Sequence, residues 1–258
     1  MSRDIFRQFI NIFTLVFTLV MNALANILPL NGQQTGEISD TFDVFFVPAG
    51  YVFSIWGLIY LGLIAFTVYQ ALPSQRENPR LRRIGYLFAL SNIANGVWVI
   101  FWHYNMYPLS LLQMLILLVC LIMIYLTLEI GRAKVSTIEK WVVFVPFSVY
   151  LGWITVATIA NVTSVLWYLN WGGFGIAPEM WAAIMLVVAT VVAALMALSR
   201  GDVPYLLVLI WAFIGIAVKH ADTPIVANTA WLTTGIVIVL AVLGWQRKRQ
   251  GRLISFGL

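Results

Sequence analysis

Charge is what this sequence has least of. Asp, Glu, Lys and Arg make up 10% of its 258 residues, where a soluble domain would spend about a quarter. There is one cysteine, Cys120, and it lies inside an apolar run. That excludes an intrachain disulfide and a cysteine metal site. The two histidines, His103 and His220, sit at or near the ends of apolar segments and are read as interfacial residues rather than metal ligands. No Ser-His-Asp pattern, phosphate loop or metal-ligand spacing is present. No catalytic residue and no metal site is therefore assigned, and no stretch is polar enough to form a separate soluble domain.

What the chain has in excess is hydrophobicity, at 62% of residues. An all-α polytopic membrane protein follows, because only helices and closed barrels satisfy their backbone inside lipid. A spanning helix takes about 20 mostly apolar residues. Eight segments meet that measure: Phe6–Leu30, Phe46–Leu72, Ile84–Tyr104, Leu109–Ile130, Trp141–Leu166, Pro178–Leu198, Tyr205–Lys219 and Ile225–Trp245. The seventh is the shortest. Ala23-Leu24-Ala25 resembles a signal-peptidase site, but the apolar run continues through Leu30 and is long enough to anchor.

The bases agree with eight spans. Arg3 and Arg7 precede the first; Arg76, Arg80, Arg82 and Arg83 follow the second; Arg132, Lys134 and Lys140 follow the fourth. Arg200 follows the sixth, and Arg247, Lys248, Arg249 and Arg252 form the tail. Lys219 alone falls on the opposite side. This asymmetry places both termini in the cytoplasm. It also explains the net charge of +5 as membrane topology, so no nucleic-acid partner is expected. The loop after the first span carries Glu37, Asp40 and Asp43 and no base. It reads as a solvated acidic loop or as a lid over a cavity.

Three spans place aromatic and amide side chains at membrane depth. With about 100° between successive residues, Phe53, Trp56 and Tyr60 share a face of the second span. Asn95, Trp98 and Trp102 share a face of the third, and Tyr150, Trp153 and Asn161 share a face of the fifth. An amide in hydrocarbon costs several kcal/mol unless it finds a partner. These nine residues are the candidate ligand-binding set. Interhelical packing fits them as well as a pocket does. Trp141, Trp167, Trp171 and Trp245 fit the interfacial aromatic belt instead.

The same residues carry a family resemblance. Phe46, Pro48, Phe53, Trp56 and Tyr60 resemble the proline- and tryptophan-rich motif of the TspO/MBR family, the tryptophan-rich sensory or translocator proteins also called peripheral benzodiazepine receptors. Asn95 with Trp98, and Tyr150 and Trp153 with Asn161, resemble its motifs in the third and fifth helices. Ala49 stands where the family has a second proline, Tyr51 replaces a tryptophan, and Pro146 comes four residues early. The motif resemblance ends near Asn170. It implies an enlarged member: a five-helix bundle over residues 1–170, three additional spans over 171–245, and a basic tail over 246–258.

The resemblance further implies a receptor, sensor or carrier for a flat lipophile such as a sterol or a tetrapyrrole, with protoporphyrin or haem as ligand rather than required cofactor. Porphyrin breakdown is implied by resemblance alone. A small-molecule transporter and a structural or pigment-holding subunit remain alternatives. The expected partners are the lipid bilayer and a lipophilic small molecule, with room for a homodimer.

Overall fold

A computed structural model describes residues 3–28 and 30–251. The last base of the tail, Arg252, lies outside the described residues. Eight long apolar helices follow one another: α1 Arg3–Ile27, α2 Gly50–Ala71, α3 Leu87–His103, α4 Tyr107–Thr127, α5 Thr137–Tyr168, α6 Pro178–Arg200, α7 Val203–Lys219 and α8 Pro224–Arg249. Short helical turns lie in the connections, and there is no strand among the described residues. Six of the eight are long enough and apolar enough to cross a bilayer. The other two, α3 and α7, have 17 residues each, about 25 Å at 1.5 Å per residue, the short end of the spanning range. The chain is thus a multi-pass integral membrane protein.

Several boundaries differ from the hydropathy reading for local reasons. The second helix starts at Gly50 rather than Phe46, because Pro48 and Ala49 precede a 3-10 turn over Gly50–Ser54. The third starts at Leu87, after Gly85 turns the chain at φ 54°. The fifth is longer than expected and contains a π-turn over Lys140–Phe144, in which the Val145 N–H reaches back to the Lys140 carbonyl. Pro146 follows immediately. It has no N–H to give to the helical ladder, and the wider turn accommodates that loss.

The chain divides into two compact units. The first comprises residues up to Thr41 and Trp56–Ile154; the second comprises Phe42–Ile55 and the residues from Thr155 onward.

In the first unit, α1 packs against α3, and α3 against α4. The α1 helix is inside out by the standards of a soluble protein. Its buried face is Arg7, Gln8, Asn11, Thr14, Thr18 and Asn22, while Phe6, Phe9, Phe13 and Val16 are exposed. Lipid is the solvent for the apolar face, so the polar face turns inward and must find partners there. It finds them: Gln8 donates to the Gln70 carbonyl at 2.6 Å, and Asn11 donates to the Gln70 side-chain oxygen at 3.3 Å. Thr18 donates to the Asn92 carbonyl at 2.8 Å. Between α2 and α5, Gly62 permits a close approach, since a Cβ there would stand 3.0 Å from that of Pro146.

In the second unit, α6, α7 and α8 pack pairwise. Small residues are buried on both α6 and α8, Ala189, Ala193 and Ala197 on the first and Ala230, Ala241 and Gly244 on the second, and Gly244 lies directly against the Ala197 backbone. The segment from Phe42 to Ser54 folds against α7. The Ala49 N–H donates to the Gly215 carbonyl at 3.1 Å, and the Trp211 indole donates to the Val52 carbonyl at 3.1 Å.

Candidate functional site

Five of the nine sequence-predicted residues come together in the first unit. The Trp56 ring stacks on Tyr60 at 5.4 Å and meets Tyr150 and Trp153 edge-on at 6.2 and 6.1 Å. Asn95, fully buried on α3, donates from Nδ2 to the Tyr150 hydroxyl at 2.8 Å. Its Oδ1 accepts from Asn22 of α1, also at 2.8 Å. The carboxamide is therefore satisfied on both sides by the protein itself. The Tyr60 hydroxyl is buried and has no hydrogen-bond partner among the described residues, an arrangement that costs about 1–3 kcal/mol until something supplies a partner.

Trp98 and Trp102 continue along the same face of α3 as a stacked pair, 5.6 Å apart. The Trp102 indole donates to the Thr35 carbonyl at 3.2 Å, and its ring meets Tyr107 edge-on. His103 lies 2.9 Å from the Thr35 hydroxyl and 3.2 Å from the Leu30 carbonyl. It ties the connection after α1 to the end of α3, and no group of metal-ligating side chains exists among the described residues. The remaining two predicted residues, Phe53 and Asn161, belong to the second unit. Phe53 is half-buried and Asn161 is buried.

The second unit holds a cavity of about 410 Å³ that none of the nine residues lines. Val44, Phe45 and Phe46 form one wall, with Asp43 beside them. Thr158, Ile159, Val162, Leu166 and Trp167 of α5 form a second; Pro178, Trp181 and Met185 of α6 form a third. The connection between these helices closes it with Trp171 and Gly173. Four residues of that connection, Asn170, Gly173, Phe174 and Gly175, have positive φ. Such backbone persists only where its surroundings hold it. Here the Trp181 indole donates to the Gly173 carbonyl at 2.9 Å, while the Trp171 ring lies 5.3 Å from both Trp181 and Phe174. The volume falls within the range of small-molecule sites, about 300–1,000 Å³. Indole and phenyl rings in its walls offer flat apolar faces.

Two features were missed in the sequence. The inward polar face of α1, including Asn22, was hidden in a segment read only for its hydropathy. Its signal is there: Asn11, Thr14, Thr18 and Asn22 recur every three or four residues. The cavity was missed because Trp167 and Trp171 were read as belt residues; the signal was the glycine-rich run from Gly172 to Gly175 between Trp171 and Trp181.

Comparison with curated proteins and with solved structures gives no match. A family profile described as TSPO-like protein matches residues 8–243. The match continues past Asn170 through α6 and α7 and into α8, where no family motif is legible. Covering nearly the whole length, it establishes that the chain belongs to the TSPO-like protein family.

Proposed function

We propose that this membrane protein binds a flat lipophilic molecule of the tetrapyrrole or sterol class and serves as its receptor, sensor or carrier. The observation that carries this reading is the cavity of about 410 Å³ walled by Trp167, Trp171, Trp181, Phe45 and Phe46. Burying an apolar ring system there is worth about 25 cal/mol per Å² of surface removed from water. The convergent residues of the first unit form a second place of contact, supported by the partnerless Tyr60 hydroxyl. There the proposed lining is Trp56, Tyr60, Asn95, Trp98, Trp102, Tyr150 and Trp153. Phe53 and Asn161 complete the proposed set in the second unit. The same proposal has both termini facing the cytoplasm, which the gathering of bases on that side supports.

The test is ligand titration of the purified protein in vesicles, followed by tryptophan fluorescence. Saturable quenching is expected. Trp167→Phe with Trp181→Phe abolishes most of it if the cavity is the site; Trp56→Phe with Trp153→Phe abolishes most of it if the first unit is. Quenching that neither pair alters would refute both placements. Ligand flux across the vesicle separates a carrier from a receptor.

A further inference from the structure

The walls of the second unit's cavity are as informative for the charge they lack as for the rings they hold. Among the described residues, no Lys, Arg or His lines it, and the ionisable residue that does is an acid, Asp43. From Thr155 to Ser199 the chain contains no base at all. A second acid, Glu179, directly follows the lining residue Pro178. Two donors in the wall are already engaged: the Trp181 indole gives its hydrogen to Gly173, and the Thr163 hydroxyl gives its hydrogen to the Ile159 carbonyl at 2.8 Å. His220 stands behind the wall, its ring 5.3 Å from that of Phe45 and its Nε2 3.2 Å from the Val47 carbonyl. Burial and the neighbouring Lys219 lower its pKa, which favours its uncharged form.

Resting on the ligand-binding reading above and narrowing its ligand class, we propose that this cavity selects planar lipophiles that carry no acid group, so a sterol or an esterified tetrapyrrole over the free propionates of protoporphyrin or haem, and favours those with a basic amine at the end nearest Asp43. A carboxylate entering these walls loses water and meets no cation, a loss of several kcal/mol. Asp43 adds repulsion. An ester loses far less, and an amine gains the Asp43 carboxylate together with indole faces that attract cations. Asp43 is itself exposed, which places the amine in water rather than in the apolar interior.

Three pyrene probes test this. They share one ring system and one short tether, which ends in a carboxylate, its methyl ester or a tertiary amine. Indole emission overlaps pyrene absorption, so pyrene emission excited through tryptophan reports binding. Each probe is titrated at pH 8 into protein-containing and protein-free vesicles, and the saturable component is compared. The ester and the amine are expected to bind at least about tenfold more tightly than the acid, the step that each 1.4 kcal/mol of discrimination produces. Asp43→Lys, on an exposed position, is expected to bring the acid within about threefold of the ester and to weaken the amine. An acid that binds the wild type as tightly as the ester overturns the selection, as does an acid whose affinity Asp43→Lys leaves unchanged. If no probe gives a saturable signal that Trp167→Phe with Trp181→Phe removes, the ligand-binding reading of the cavity falls, and the selection falls with it.

Discussion

The side chain of Asn22 donates to that of Asn95 across 2.8 Å, and Asn95 passes its own hydrogen to the Tyr150 hydroxyl at 2.8 Å. Three helices, α1, α3 and α5, are thereby joined by two hydrogen bonds between fully or nearly fully buried groups.

Asn95→Leu breaks both bonds: Tyr150 loses its donor, and Asn22 keeps only its bond to the Thr18 carbonyl within α1. The expected loss is about 1–3 kcal/mol, the desolvation cost of buried polar groups without partners. Asn22→Leu leaves one acceptor orphaned and is expected to lose less. Because the two side chains form one network, their effects should not add. In a double-mutant cycle by thermal unfolding in detergent, the Asn22–Asn95 coupling is expected at about 0.5–1.5 kcal/mol, the range of interhelical hydrogen bonds in membrane proteins. Strict additivity would show that the bond contributes nothing.

The α6–α8 seam gives a sharper contrast between two glycines of one helix. A Cβ added at Gly244 would stand 2.8 Å from the Ala197 carbonyl oxygen, a backbone atom that cannot swing aside. At Gly235 nothing lies within 4 Å. Gly244→Ala is therefore expected to destabilise by about 1–3 kcal/mol through overpacking. Gly235→Ala is expected to stabilise by about 0.5–1 kcal/mol, because alanine loses less freedom in a helix. The unfolding temperatures of the two variants should move in opposite directions.

Much of the architecture was legible because lipid imposes a simple rule on sequence. Long apolar runs separated by bases give eight helices, and the spacing of Asn95, Trp98 and Trp102 correctly puts them on one buried face of α3. The rule is also why the polar face of α1 was overlooked although its span was found. Mean hydropathy does not distinguish a uniformly greasy span from one with Asn11, Thr14, Thr18 and Asn22 along a single side. The cavity was illegible for another reason. Phe45 and Phe46 meet Trp167 and Trp181 only after more than 100 intervening residues have folded, and local periodicity carries no trace of that pairing. Asn161 shows the same limit: it is placed on its helix by spacing, but the unit it joins is set by tertiary folding.

His220 gives the second unit a dependence on pH. The ring is partly buried behind Phe45, and burial together with Lys219 lowers its pKa below the ordinary value, outweighing the bond to the Val47 carbonyl. The unfolded chain therefore takes up the proton first. Stability is full above the unfolded pKa of about 6.5 and falls as pH drops through it towards the folded value. Gln at 220 keeps a donor for Val47 but cannot titrate. The unfolding temperature of His220→Gln should match the wild type at pH 8 and exceed it at pH 5. Parallel curves across that range would mean that the imidazole is not held neutral.

Tyr60 separates the cost of an unpaired group from its use. Its ring stacks on Trp56, but its buried hydroxyl has no partner among the described residues. Phe keeps the ring and deletes the orphan. Without ligand, Tyr60→Phe is expected to raise stability by about 1 kcal/mol, since replacing an unsatisfied buried polar group by an apolar one recovers its desolvation cost. If a ligand acceptor completes that hydroxyl, the same variant should bind about three- to tenfold more weakly, the loss of one hydrogen bond of about 0.5–1.5 kcal/mol. Thermal unfolding with and without ligand measures both. Higher stability with unchanged affinity would remove Tyr60 from the binding site and leave it as packing; lower stability without ligand would show that the hydroxyl is already satisfied in the free protein.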